Sequence, residues 1–238
     1  MTLAFRTADR LRFGVAWTLF GTKLYCASLV RKRFVPPPVG LRAATHVTLV
    51  ARLPSQITEP IKEIVASLGK SAAKHYVYPA ETIHLTVQNL DPLMHEIDDL
   101  EEMRERLRIL VGSFVPMRMV AQGLGISPDT AFIQIFPEDK TLAKLRREIR
   151  TLMFARFPPS RFTSGYPRSR QLFRHMAFAN VMRFSGIVTP SFIRKIANHR
   201  SRYFGAFSMA TVELVVTDRF LSAEGTHVKE QMSFRMPI

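Results

Sequence analysis

The sequence predicts an α+β fold of two related lobes, with antiparallel sheets and with helices on the outside. Three observations predict it. Segments that alternate apolar and polar residues, as half-buried strands do, are mixed with segments whose apolar residues recur at helical spacing. Several strand segments are joined by short turns, which antiparallel pairing allows and parallel pairing does not. A rough unit of helix, histidine-bearing strand, helix and hairpin occurs twice, which suggests two lobes of related topology.

The elements follow in order. The first forty residues stand apart: Arg6, Arg10, Arg12, Lys23, Arg31, Lys32 and Arg33 are opposed only by Asp9. Between the basic ends, residues 13–30 are largely apolar, but Lys23 interrupts them. A membrane span needs about 20 apolar residues without a central charge, and no clear cleavage pattern marks a signal peptide. Two readings stay open: an extra helix or strand packed on the domain, or a helix with basic flanks lying on an acidic membrane surface. Pro36, Pro37 and Pro38 form a stiff linker. It divides an extension, residues 1–40, from the main domain, residues 41–238.

Residues 45–53 alternate and are rich in β-branched side chains, so they predict a strand. Thr58 is a candidate cap for a helix whose stripe is Ile61, Ile64, Val65 and Leu68. Residues 82–90 predict a second strand, and Ile97, Leu100, Met103 and Leu107 a second helix. Residues 117–124 and 131–136 predict a hairpin, turning at Ser127, Pro128 and Asp129. Leu142, Leu145, Ile149 and Leu152 mark a third helix, followed by a loop rich in Pro, Ser and Arg over 158–170. Residues 172–184 predict a long strand. Thr189 before Pro190 is a helix start, with Phe192, Ile193 and Ile196 on its buried side. Residues 209–217 and 229–236 predict the last strands.

Composition narrows the function. A chain of 238 residues with 47% hydrophobic and 22% charged residues can bury a sizeable core. Its 34 Lys and Arg against 19 Asp and Glu give +15, an excess that favours nucleic acid, nucleotides or an acidic membrane as partner. Cys26 is the only cysteine, which excludes an intramolecular disulfide and fits a reducing, cytoplasmic setting. No interleaved aromatic and basic strand motif of the base-stacking kind stands out.

Of seven histidines, two sit in matching contexts, Thr82-Ile83-His84-Leu85-Thr86-Val87 and Phe173-Arg174-His175-Met176-Ala177-Phe178. On a strand, His84, Thr86 and Gln88 share one face, with His84 and Thr86 roughly 7 Å apart. An imidazole can move protons near neutral pH and a hydroxyl can donate to a phosphate oxygen. A lone His on a strand is more often a hydrogen-bonded structural residue. His46-Val47-Thr48 is a chance triplet of this kind, with no counterpart in the second half.

These strands resemble the 2H phosphoesterases, the superfamily of the 2′-5′ RNA ligase-like proteins and cyclic nucleotide phosphodiesterases. The resemblance rests on residues 78–86, on the hairpin opening Gly123-Leu124-Gly125-Ile126-Ser127-Pro128, on residues 174–178 and on the closing strand 212–221. It spans residues 44–238. It implies two lobes flanking a central cleft, with one His-x-Thr or His-x-Ser motif from each. It further implies that His84 and His175 act as paired general base and acid on a 2′,3′-cyclic phosphate of an RNA end or nucleotide. A monomer without metal or cofactor is expected. Ala177 stands where the family has Thr or Ser. A hydrogen bond to a charged group is worth roughly 1.5–3 kcal/mol, or about 10- to 150-fold. Arg168 and Arg170 are candidates to hold the phosphate in its place. The alternative is a weak or inactive RNA- or nucleotide-binding module.

Overall fold

A computed structural model describes residues 2–35, 46–90, 97–156, 176–218 and 220–235. The elements in chain order are α1 (Thr2–Leu29), β1 (His46–Arg52), α2 (Ser55–Ser67), β2 (Tyr76–Val77), β3 (His84–Asn89), α3 (Ile97–Gly112), β4 (Met117–Ile126), β5 (Thr130–Pro137) and α4 (Thr141–Arg156). Then come β6 (Ala177–Arg183), α5 (Pro190–Ala197), β7 (Tyr203–Met209), β8 (Thr211–Thr217) and β9 (His227–Ser233). Short 3-10 turns occupy Gly69–Lys74 and Ala80–Thr82.

The nine described strands form one antiparallel sheet in the order β7-β4-β5-β6-β3-β1-β8-β9, with β2 paired to β6. It divides into two four-stranded halves that meet where Leu85 of β3 opposes Ala179 of β6. Between these halves reaches Arg146 of α4, which is buried. Its guanidinium donates to the Val87 carbonyl (2.8 Å) and the Thr86 carbonyl (2.9 Å) on β3, and to the Met176 carbonyl (3.4 Å) just before β6. Burial lowers its pKa to about 10, so it keeps its charge at neutral pH.

One face of the sheet is packed by α2, α3, α4 and α5. Ile57, Ile61 and Ile64, then Leu107, then Leu142, Leu145 and Ile149, then Phe192 and Ile196, share a core with Leu49, Leu85, Ile133, Ala179 and Leu214. These buried faces follow the helical stripes seen in the sequence at Ile61, Ile64, Leu107, Leu142, Leu145, Ile149, Phe192 and Ile196. Thr189 caps α5, its hydroxyl accepting from the Phe192 N–H at 3.3 Å, with Pro190 in the first turn.

Several expectations are corrected. Thr58 is no cap: α2 starts at Ser55 after Pro54, and Thr58 is buried inside it. Residues 209–217 are not one strand. β7 ends at Met209, and β8 begins at Thr211 in the other half of the sheet. β3 begins at His84, because residues 80–82 form a 3-10 turn. The Pro36–Pro38 linker, the boundary near residue 40 and the segment carrying Arg168, Arg170 and His175 lie outside the described residues.

The apolar N-terminal run is a helix packed on the sheet. α1 lies against β4 and β5 and also meets α5, with its Leu24 joining the main core. Phe13, Ala16 and Phe20 meet Val120, Phe132, Phe136 and Met176. The Phe13 ring lies 6.1 Å from that of Phe132 and 5.3 Å from that of Phe136. No described helix is long and apolar enough to cross a membrane.

Candidate functional site

Strand register decides what faces what, because residues directly opposite each other share a face of the sheet. On β3, His84 opposes Arg52, Leu85 opposes Ala51 and Thr86 opposes Val50. A bulge follows, so that Leu49 opposes Gln88. Leu85 points into the helix-packed core, so His84 and Thr86 point to the other face. The bulge takes Gln88 out of the alternation that the sequence predicts: its side-chain oxygen accepts from Arg150 of α4 at 3.1 Å.

His84 is held in one tautomer. Its Nδ1 lies 2.6 Å from the Thr82 carbonyl oxygen, and the Arg52 guanidinium donates to that same oxygen at 3.1 Å. A carbonyl can only accept, so Nδ1 carries the proton and Nε2 is left as the acceptor. The ring is buried against Tyr78, centroid to centroid 6.3 Å. Burial drives its pKa down to about 4. The Thr82 hydrogen bond opposes the drop, and the charges of Arg52 and Arg183 add to it. Both cations have partners of their own: Arg52 pairs with Glu213 at 2.8 Å, and Arg183 donates to the Tyr78 hydroxyl at 3.0 Å. Tyr78 in turn donates to the Phe220 carbonyl at 2.5 Å.

The second half of the sheet repeats this pattern. On β6, Phe178 opposes Gln134, Ala179 opposes Ile133 and Asn180 opposes Phe132. A bulge then lets Ala131 oppose Met182. Pairing and bulge match β1 and β3 residue for residue, and the Leu85–Ala179 pair lies on the local two-fold between them. The structural counterpart of His84 is therefore Phe178, and that of Thr86 is Asn180.

This corrects the alignment drawn from the sequence. Ala177 opposes Ile135 and is buried in the helix-side core, facing away from His84. By register, Asn180 and not Ala177 stands where Thr86 stands in the other half. Phe178 is 36% exposed and its ring lies 5.1 Å from Phe132, which in turn meets Phe13 of α1. An aromatic relay thus runs from Phe178 through Phe132 to the N-terminal helix. Asn180 Oδ1 is buried and has no hydrogen-bond partner among the described residues. Sequence reasoning passed over Phe178 and Asn180. The signal was the match of Leu85-x-Val87 with Ala179-x-Val181, which the eye loses once it fixes on His175.

The other described histidines do not join this site. His75 is buried beside Phe184 and Phe192 and accepts from the Ser185 N–H at 3.2 Å. The hydroxyl in the triplet at His46 is used by the fold, since Thr48 donates to the Gln88 carbonyl at 3.1 Å. Among the described residues, no three His, Cys, Asp or Glu side chains group as metal ligands.

No family model and no curated protein matches this sequence. Solved structures do. TT0787 of Thermus thermophilus is 15% identical, with a TM-score of 0.62 over 81% of this chain and 100% of that one. A phosphoesterase is 14% identical, TM-score 0.53, over 81% and 99%. E. coli LigT complexed with 3′-AMP is 12% identical, TM-score 0.53, over 80% and 98%. This chain has a LigT-like fold. At these identities the likeness is one of fold. At matching register, one half of the sheet carries His84-Leu85-Thr86 and the other Phe178-Ala179-Asn180.

Proposed function

We propose that this chain binds a phosphorylated nucleotide or RNA end on the open face beside His84, as a binding module rather than a two-histidine hydrolase. One observation carries the reading: by strand register, Phe178 and Asn180 stand in one half of the sheet where His84 and Thr86 stand in the other. A phenyl ring cannot protonate a leaving oxygen. It can stack on a base, as exposed aromatics do on single-stranded ends. Thr86 can donate to a phosphate oxygen, and Asn180 Oδ1, without a partner among the described residues, can accept from a ribose hydroxyl or base amine. The excess of 34 cations over 19 anions favours an anionic ligand.

A second reading is a metal-independent phosphodiesterase acting on 2′,3′-cyclic phosphates. The fixed tautomer of His84 favours it, because a bare Nε2 acceptor is what a general base needs. In that reading His175 would be the acid, and Arg168 and Arg170 would hold the phosphate.

The test is turnover and binding of a 2′,3′-cyclic nucleotide and a cyclic-phosphate-ended RNA, in EDTA, by wild type, His84→Ala and His175→Ala. The expected result is no turnover by any of the three, with binding that weakens as salt rises and is lost with Phe178→Ala. Turnover by wild type that vanishes in both histidine variants would overturn the binding reading and establish the phosphodiesterase.

A further inference from the structure

α1 buries one side and leaves the other bare, and the bare side is apolar as well. At 3.6 residues per turn, Leu11, Val15, Thr18, Leu19, Thr22, Tyr25, Cys26 and Leu29 fall within an arc of about 120°. All eight are exposed, with Leu11 at 70%, Leu19 at 53% and Leu29 at 61%. The stripe is about 27 Å long, at 1.5 Å per residue from Leu11 to Leu29. No charged residue lies in it. The charges of this stretch sit elsewhere on the helix: Asp9 is buried, Arg12 pairs with Asp9 at 2.7 Å, and Arg10 donates to Gln122 of β4 at 2.9 Å. This is the reverse of an ordinary surface helix, which turns its charges to water.

Even the polar members of the stripe suit an apolar surrounding. Thr18 donates to the Gly14 carbonyl at 3.1 Å and Thr22 to the Thr18 carbonyl at 2.6 Å. Their hydroxyls are satisfied within the helix and lose little when water is removed. The stripe ends at Arg31, Lys32 and Arg33, all exposed, and Lys23 stands exposed along one flank.

We propose that the outer face of α1 docks in the plane of an anionic lipid surface. The uncharged stripe would enter the boundary between headgroups and acyl chains, with Lys23 and Arg31–Arg33 on the headgroups. Charge complementarity selects this occupant. A chain of +15 with a cationic cluster at the end of an apolar stripe matches a negative bilayer. The breadth of the arc fits a flat interface better than the narrow seam of a helix pair. The sheet keeps α1 folded before it meets the membrane, through Phe13, Ala16 and Phe20. Docking would therefore need no ordering of a disordered segment, a cost that most interfacial peptides carry.

The test is flotation of the full chain with vesicles of phosphatidylcholine alone or with roughly one-third phosphatidylglycerol, the anionic share supplying the attraction. Wild type should float with the mixed vesicles and stay down with the neutral ones, less so as salt rises. Leu11→Asp combined with Leu19→Asp should cut the floating fraction at least about tenfold. Lys32→Glu combined with Arg33→Glu should cut it on anionic vesicles, each lost cation weakening binding about fivefold. Thermal melts should show both variants folded, since all four side chains are exposed. Failure of wild type to float, or equal flotation of wild type and the Leu11/Leu19 variant, would overturn the proposal. So would a wild-type dimer in solution that the same variant splits, because the stripe would then be a self-interface.

Discussion

At the scale of the residue, burial holds the His84 imidazole well below its ordinary range. Its pKa of about 4 in the folded chain lies below the ordinary 6.5. Between those values the unfolded chain takes up a proton that the folded chain refuses, so stability falls as pH drops from 6.5 to 4 and rises again with pH. The shift corresponds to about 3 kcal/mol. His75, also lowered by burial, pushes in the same direction. His84→Asn keeps a donor for the Thr82 carbonyl but cannot titrate. Urea midpoints from pH 4 to 7 should fall more steeply for wild type than for this variant, and parallel slopes would contradict the assigned burial. The sequence made His84 and Thr86 legible because simple alternation holds between them. It does not reveal the register of β6, which sets Phe178 and Asn180 opposite Gln134 and Phe132. Ala177 and Phe178 are neighbours on β6, and an odd offset on a strand reverses the face. Only the pairing with β5, bulge included, tells which residue stands opposite His84 across the two-fold.

At the scale of the element, α1 was the least decidable part of the sequence. A run that is apolar round its whole circumference does not reveal which side is packed. The packed side follows from the aromatic residues of β5, whose alternation sends Phe132 and Phe136 away from Ile133 and into the cluster with Phe13. The two sides should respond differently to truncation. Phe13→Ala removes a ring buried between Phe132 and Phe136 and should cost about 3 kcal/mol, near the lower end for buried aromatics because the cluster is small. Leu19→Ala, on the outer side, should change stability by less than about 0.5 kcal/mol. Chemical denaturation of the two variants checks both, and similar losses would mean that α1 sits differently on the sheet. The hairpin motif also acquires a physical reason. Gly123 has φ +87, and a Cβ there would lie 2.2 Å from the Arg200 carbonyl oxygen. The glycine is required by close backbone approach at a bulge of β4.

At the scale of the whole molecule, the α+β class and antiparallel pairing were readable from the pattern of the chain. The way its halves join was not, since it depends on one registered pair and one arginine. Arg146 carries no sequence signal, being one of many cations on an amphipathic helix. Its three carbonyl partners on both sides of the junction make it the main polar tie described there. Arg146→Leu would leave those carbonyls buried without this donor and should cost about 3–5 kcal/mol. The unfolding transition should also broaden or split as the halves lose their coupling, which calorimetry would detect. An unchanged, single sharp transition would show that the halves are joined by apolar packing alone. The strand order has a further consequence, for the chain as it is being made. β7 lies at one edge of the sheet, yet after Ala210 the chain enters β8, next to the opposite edge. The half that carries His84 therefore waits, on the ribosome, for the last two strands. Until β8 pairs with it, β1 presents an unpaired edge. Such an edge invites pairing with a neighbouring nascent chain. Synthesis of this protein should depend on whatever shields that strand until its C-terminal partner arrives.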